Sequence, residues 1–240
     1  MKRFLVDKID GNNVTLTGVE HNHLHNVLRL TEGTEVILNA GDGFDYHAKI
    51  TKTTKNSTEL VILNSTKNMA DPRVCVTLFQ ALTKSDNMYL IVQKCTELGI
   101  SKLVPFESKF ITAKDKNGKA DKLQLIANQS TKQCRRSVPL CVEQTLKFNQ
   151  MVSKLKEYDL VIFANECEKT MPLNSDISIY NNIAIIVGSE GGFDKDEIDA
   201  IVSAGGKSIT LGNRILRAET AAISLSAVVM YLLGEWNYEN

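Results

Sequence analysis

Two runs in the C-terminal half carry residue types suited to chemistry. Ile183-Ala-Ile-Ile-Val187 reads as a buried strand and leads into Gly188-Ser189-Glu190-Gly191-Gly192-Phe193, then a helix. Gly188, Gly191 and Gly192 let the backbone approach a ligand closely and reach conformations closed to other residues. Ligands of open α/β sheets bind at the carboxyl ends of strands, where this loop would lie. The spacing is neither a dinucleotide GxGxxG nor a phosphate loop ending in Lys-Ser/Thr, so a phosphate cradle is unsupported. Taken alone, the run also fits a tight strand-to-helix connection.

A second strand end, Ile209-Thr-Leu211-Gly212, runs into Asn213-Arg214-Ile215-Leu216-Arg217-Ala218-Glu219-Thr220-Ala221. Two strand-end loops can wall one pocket. Arg217 and Glu219 stand at the start of an otherwise apolar helix, where an arginine has little local structural reason to be; Glu219 also suits a helix N-terminus in its own right. His21, His23 and His25 raise a metal reading, since His21 and His25 are four apart on a helix, but no third ligand or nearby Glu accompanies them. No metal is expected, and surface, packing or RNA contact accounts for these histidines.

The elements that must hold these residues fall into two styles. Through about Ser65 the chain reads as short strands, Asn13 to Leu16, Glu35 to Asn39, Tyr46 to Thr51 and Thr58 to Leu63, separated by Gly and Asn turns. This suggests a small β-barrel. His21 to Leu30 interrupts it as a helix, with Leu24, Val27 and Leu28 at helical spacing. The polar stretch Ser65 to Arg73, ending Asp71-Pro72-Arg73, marks a domain boundary and divides the chain into 1–70 and 74–240.

Beyond it strands and helices alternate. The expected order is strand Val74 to Ala81, helix Met88 to Leu98 closed by Gly99, strand Leu103 to Phe106, helices Lys119 to Gln133 and Phe148 to Lys156, and strands Leu160 to Ala164 and Ile183 to Val187. A helix Lys195 to Ala204, a strand Ser208 to Leu211 and a helix Ala218 to Leu233 complete it. Asp194 followed by Glu197 has the form of a capping box. Alternation of this kind points to α/β architecture with a mostly parallel sheet. The last helix is apolar on most of its circumference and is either a core helix or a subunit interface.

Composition narrows the class. The 240 residues, 43% hydrophobic, suffice for a sizeable core, which excludes global disorder. Asp7, Lys8 and Asp10 interrupt the N-terminus before an apolar segment forms, so no signal peptide is expected. Ala221 to Leu233 is too short to span a membrane. Cys75, Cys95, Cys134, Cys141 and Cys167 are scattered without a CxxC pair, as in a reducing, cytoplasmic compartment.

The net charge is zero, which by itself argues against nucleic acid. Its distribution argues otherwise. Between Lys102 and Arg136 lie nine basic residues (Lys102, Lys109, Lys114, Lys116, Lys119, Lys122, Lys132, Arg135, Arg136) against Glu107, Asp115 and Asp121. From Glu157 to Asp199 acids dominate. The basic middle is a candidate phosphate-facing surface, the alternative being an ordinary solvated face.

Several motifs together resemble the RsmE family, ribosomal RNA small-subunit methyltransferases of the SPOUT superfamily. They are Gln80, Lys84, Gln93-Lys94-Cys95-Thr96-Glu97-Leu98-Gly99-Ile100, Asn128-Gln129-Ser130 with Arg135-Arg136, Gly188 to Gly192, Leu211 to Ala221, and His23-Leu24 to Val27-Leu28-Arg29. The resemblance covers nearly the whole chain. In one departure, Ser189 stands where the family usually has proline, a change expected to loosen the turn.

The resemblance implies an N-terminal PUA-like β-barrel that binds RNA, and a C-terminal SPOUT domain with a deep trefoil knot that carries the cofactor site, catalysis and dimerisation. It implies methylation of N3 of a uridine in 16S-type rRNA, within the small ribosomal subunit, by a homodimer using S-adenosylmethionine. Carried over by position, Gly188, Glu190, Gly191, Gly192, Leu211, Gly212, Ile215 and Leu216 form the cofactor cradle, and Phe163 to Glu166 add a wall. Methyl transfer is an in-line displacement that needs alignment and exclusion of water rather than a metal.

Uridine N3 carries a proton, so the site must remove it or stabilise the anion. Arg217 is the candidate stabiliser, Glu219 its orienting partner, and Thr220 a contact to base or cofactor. Arg3, Arg29, Arg135 and Arg136, with Lys2, are candidate RNA contacts. The alternatives are a knotted enzyme acting on ribose 2′-oxygen or guanine N1, and a non-catalytic RNA-binding module.

Overall fold

A computed structural model describes residues 1–111, 119–168 and 177–237. They form two compact units, Met1–Asp71 together with Thr131–Pro139, and Pro72–Ser130 together with Leu140–Asn240.

The N-terminal unit is a five-stranded sheet in the order β1-β3-β4-β5-β2, with β1 Arg3–Leu5, β2 Asn13–Leu16, β3 Glu35–Asn39, β4 Phe44–Thr53 and β5 Thr58–Lys67. β1 pairs with β3 in parallel and the other ladders are antiparallel. Alternation puts Val36, Leu38, Ala48, Ile50 and Leu60 on one face, and both edge strands add to the same cluster through Phe4, Val14 and Leu16. The sheet therefore curls around one small core.

The expected helix between β2 and β3 is present but begins earlier, as α1 Gly18–Asn22, and widens into a π-helical turn at His23–Val27. Leu24 is its buried residue. His21 is 4% exposed, with Nδ1 2.9 Å from Thr58 Oγ1 and Nε2 3.1 Å from the Lys55 carbonyl. Both ring nitrogens are thus engaged inside the unit, in keeping with a packing histidine.

A buried polar node sits in this unit. The Asp45 carboxylate accepts two hydrogen bonds from Arg3, both 2.6 Å, one from Asn39 at 2.8 Å and one from Asn68 at 2.7 Å. Burial opposes ionisation of Asp45, but these bonds outweigh it and hold the carboxyl below its usual range. Asn68 also donates to the Arg135 carbonyl at 2.9 Å, and Asp71 accepts from the backbone N–H groups of Ser137 and Val138, both at 3.0 Å. These contacts place 131–139 in the first unit.

The second unit is built on a seven-stranded, wholly parallel sheet. Its strands are β6 Cys75–Ala81, β7 Lys102–Glu107, β8 Cys141–Val142, β9 Leu146–Lys147, β10 Leu160–Ala164, β11 Asn182–Val187 and β12 Lys207–Ile209. The order is β12-β10-β11-β6-β7-β8, with β9 also on β7. The helices are α2 Ser85–Leu98, α3 Lys119–Cys134, α4 Phe148–Lys154, α5 Lys195–Ser203 and α6 Ala218–Leu232.

The central strands are mostly apolar because both sheet faces are covered, with Thr77 and Gln80 of β6 buried among them. Ile183, Ile185 and Val187 of β11 join the cluster under α2 and α6, whereas Ala184 and Ile186 join the one under α4 and α5. On α2 the buried residues Met88, Ile91, Val92 and Cys95 recur at helical spacing. Gly99 ends the helix at φ 99°, and a Cβ there would meet Met230 Cε at 2.7 Å. Only glycine fits.

Candidate active site

Because the sheet is parallel, β6, β10, β11 and β12, neighbours in its order, all release their following segments at one end. Those segments wall a cavity of about 550 Å3, within the usual range for small-molecule sites. After β10 come Asn165 and Glu166, after β11 Gly188 to Glu190 and Gly192, after β12 Thr210 to Gly212, and then Arg214 to Glu219; Lys84 and Asn87 enter from the start of α2.

The glycine loop is a close turn, with the Gly192 N–H donating to the Ser189 carbonyl at 3.0 Å and Gly192 at φ 68°. Added Cβ atoms would lie 2.5 Å from Glu166 Oε1 at Gly192 and 2.7 Å from Phe110 Cβ at Gly191. Gln80, fully buried at the end of β6, fixes the loop's first residue by donating to the Gly188 carbonyl at 3.1 Å.

Ser189, expected to loosen the turn, ties it down. Its hydroxyl donates to the Phe110 carbonyl at 3.0 Å. The neighbouring Lys109 N–H donates to Glu197 Oε1 at 2.9 Å, and Glu197 Oε2 closes the capping box with the Asp194 N–H at 3.0 Å. Lys109 Nζ pairs with Asp194, so strand exit, loop and helix start form one hydrogen-bonded patch.

The other walls are pinned in similar ways. Asn165 donates through its backbone N–H to the Ile209 carbonyl at 3.0 Å and through Nδ2 to Ser208 Oγ at 3.1 Å. Asn87 donates to Glu190 Oε1 at 3.3 Å.

Lys84, Arg214 and Arg217 line the cavity and are exposed. Among the described residues none of the three is in an ion pair or side-chain hydrogen bond, Arg217 with Glu219 included. The Glu219 side chain is half-buried, and its Oε2 is sealed from solvent with no donor among the described residues. The cavity thus holds cations with no counter-charge in contact among the described residues, suited to a group that is or becomes negative.

Most residues singled out in the sequence meet here: Glu166, Gly188, Glu190, Gly192, Leu211, Gly212, Ile215, Leu216, Arg217 and Glu219 all line the cavity. Gly191 backs the loop against Phe110. Thr220 is exposed and outside the lining. Phe163 is fully buried on the opposite sheet face, edge-on to Phe193, so the wall after β10 starts at Ala164. Lys84, Asn87, Thr210 and Arg214 carry no site role in the sequence reading, although Lys84 and Arg214 belong to the motifs that resemble the family, and Asn165 falls within the expected wall Phe163 to Glu166.

The basic middle segment is largely spent on partners. Lys102 pairs with Glu143 at 3.3 Å, Lys132 with Glu20 at 2.7 Å, and Lys122 sits 4.8 Å above the Tyr89 ring. Arg136 is 3% exposed with Nε 3.8 Å from Asp71, and burial pushes its pKa down. Arg3 is held by Asp45. Arg29 and Arg135 are exposed, at φ 53° and 69°. Lys114, Lys116 and the side chain of Lys119 lie outside the described residues.

The model of RNA methyltransferase domains matches residues 70–230, and that of RNA methyltransferase PUA domains matches 16–63. Ribosomal RNA small subunit methyltransferase E of Rickettsia conorii is 31% identical over 93% of this chain and 91% of its own. The protein of that name from Bacillus subtilis is 26% identical over 90% and 89%. The crystal structure of the Neisseria gonorrhoeae ribosomal RNA small subunit methyltransferase E, bound to S-adenosyl methionine, superposes with a TM-score of 0.89 at 27% identity, over 97% of this chain and 98% of that one.

Proposed function

We infer the activity from family: this chain belongs to the ribosomal RNA small subunit methyltransferase E family, and is an S-adenosylmethionine-dependent rRNA methyltransferase. We propose uridine N3 of 16S-type rRNA as its target atom. The observation that supports this reading best is the cavity at the carboxyl edge of the parallel sheet, walled by the glycine loop and lined by Lys84, Arg214 and Arg217, which have no ion-pair partner among the described residues. When bound, S-adenosylmethionine supplies an electrophilic methyl on a sulfonium.

Gly188, Glu190, Gly192, Leu211, Gly212, Ile215 and Leu216 hold the adenosine and methionine parts of that group, with Glu166 at the loop's back. The protein's own part is to align the base with the methyl carbon, exclude water and stabilise the negative charge that develops on uracil. Arg217, at the mouth of the cavity, is the anion stabiliser. Substitution of Arg217 by alanine then lowers turnover at saturating RNA and cofactor.

The N-terminal unit is the RNA-binding part, with Arg29 and Arg135 as phosphate contacts. The segment Thr210 to Ala218, which returns to the same cavity as the loops after β10 and β11, belongs to the trefoil knot of this reading. The protein works as a homodimer in the cytoplasm on the small ribosomal subunit. In support of the dimer, α6 and the turn after it present Val228, Tyr231 and Trp236, 41%, 62% and 51% exposed. Among the described residues no helix is long and apolar enough to cross a membrane.

The test is transfer of labelled methyl to small subunits from a strain lacking the activity, mapped by primer extension. N3 methylation blocks the pairing edge and stops reverse transcriptase. A new stop at one uridine supports the reading; label without a stop indicates a ribose 2′-oxygen, a stop at a guanine indicates N1, and no label indicates a binding module.

A further inference from the structure

We propose that Glu219 is the proton acceptor that frees uridine N3 for methyl transfer. The proposal rests on the functional reading above and adds to it the base that the reaction requires. Three carboxylates line the cavity: Glu166, Glu190 and Glu219. Glu166 is exposed and packs where Gly192 lacks a Cβ, and Glu190 is exposed and accepts from Asn87. Glu219 alone has an oxygen sealed from water and without a donor among the described residues.

The other oxygen, Oε1, is not sealed and accepts no hydrogen bond among the described residues, so it is the one that an N–H donor entering the cavity can reach. The imide N3–H of uracil is such a donor. Glu219 lies in the first turn of α6, where the helix dipole favours a carboxylate. Arg217, two residues before it, lines the same cavity and has no ion-pair partner among the described residues.

In the reaction the N3–H bond breaks and its proton goes to the Glu219 carboxylate, leaving the electron pair on N3. That pair forms the N–CH3 bond as the C–S bond of the donor breaks, and sulfur keeps the bonding electrons as a neutral thioether. The proton then leaves Glu219 for water. A carboxylate is a weak base toward an imide, so the transfer depends on charge stabilisation by the adjacent cations. Glu219 and the cations therefore act as a set.

The test uses the full chain, small subunits and single-turnover rates. Glu219→Gln should lose about 10²–10⁴-fold in rate while binding S-adenosylmethionine in calorimetry within threefold of wild type. Its remaining rate should climb tenfold per pH unit as solvent hydroxide takes over, and should recover most in RNA carrying 5-fluorouridine, whose N3–H is more acidic. Glu219→Asp, which keeps the carboxylate, should retain more activity than the glutamine variant.

Full activity in Glu219→Gln would overturn the proposal. So would a loss with unchanged pH dependence and no benefit from 5-fluorouridine, or an equal loss of cofactor affinity, which would mean that the carboxylate holds the methyl donor instead. Should Glu219→Gln not fold, Glu219→Asp decides against wild type: a lower rate that gains more from 5-fluorouridine than the wild-type rate does supports the proposal, and a wild-type rate, or a loss without that gain, overturns it. Wild-type protein that leaves uridine N3 unmethylated would remove the functional reading, and this one with it.

Discussion

Glu166 Oε1 lies 2.5 Å from the point that a Cβ on Gly192 would occupy, while Gly192 itself sits at φ 68°. The side chain fills the room the glycine leaves. Gly192→Ala therefore meets two obstacles, left-handed backbone costing about 1–2 kcal/mol and displacement of Glu166. Calorimetry should show at least tenfold weaker S-adenosylmethionine binding. Adding Glu166→Ala should relieve the second obstacle, giving a coupling on the order of 1 kcal/mol in a double-mutant cycle.

Arg29 and Arg135 are exposed in a backbone region that glycine adopts freely. Arg29→Gly and Arg135→Gly thus remove charge without straining the chain, and stability should hold within about 1 kcal/mol. RNA affinity measured by anisotropy should fall, and each substitution should flatten the dependence of log affinity on log salt by about 0.7–1. Arg136→Glu should lower the melting temperature instead, because that side chain is buried beside Asp71.

Asp45 gives the N-terminal unit a pH signature. Its folded pKa is depressed, so its contribution is complete above the unfolded value near 3.9 and is lost as pH falls through the lower folded value. Asp45→Asn should destabilise by about 3 kcal/mol at pH 7, since Arg3 is left unpaired. In urea titrations the gap from wild type should stay constant above about pH 5 and shrink below pH 4.

Burial pushes the Cys95 thiol up to about 12, against a smaller opposing effect of the Ser226 hydroxyl. At pH 8 only about one molecule in 10⁴ carries that thiolate. Alkylation followed by mass spectrometry should modify the exposed Cys75, Cys141 and Cys167 first. Cys95 should react only on unfolding.

The alternation of strand and helix is most readable where a strand is a nearly unbroken apolar run: Leu160–Ala164 agrees to the residue, and Asn182–Val187 within one. Strands of two or three residues, such as Arg3–Leu5, Cys141–Val142 and Leu146–Lys147, are too short for a period of two to show. The first turn of α2, Ser85-Asp86-Asn87, is polar and carries no helical spacing. The π-helical turn at His23–Val27 has the same apolar spacing as an ordinary helix and cannot be told from one by pattern.

The glycine loop and Arg217 were legible because both residue types are out of place unless something requires them. Asn87, in the polar first turn of α2, and Thr210, after β12, come to the cavity by tertiary placement that no local signal records. The side chain of Phe163 follows strand parity: Ile162 faces the core under α2 and α6, so its neighbour points the other way, against Phe193.

The first unit takes in residues 131–139. A ribosome making this chain delivers Asp71 long before Ser137, the residue whose N–H and hydroxyl it accepts. By the time residue 139 leaves the exit tunnel, β6, α2 and β7 have already emerged. The amino-terminal unit is thus finished only after translation of part of its successor, so the two cannot mature in strict succession as independent modules do. A fragment cut at residue 71 would be an incomplete nascent chain, with the Asp71 carboxylate stripped of those donors.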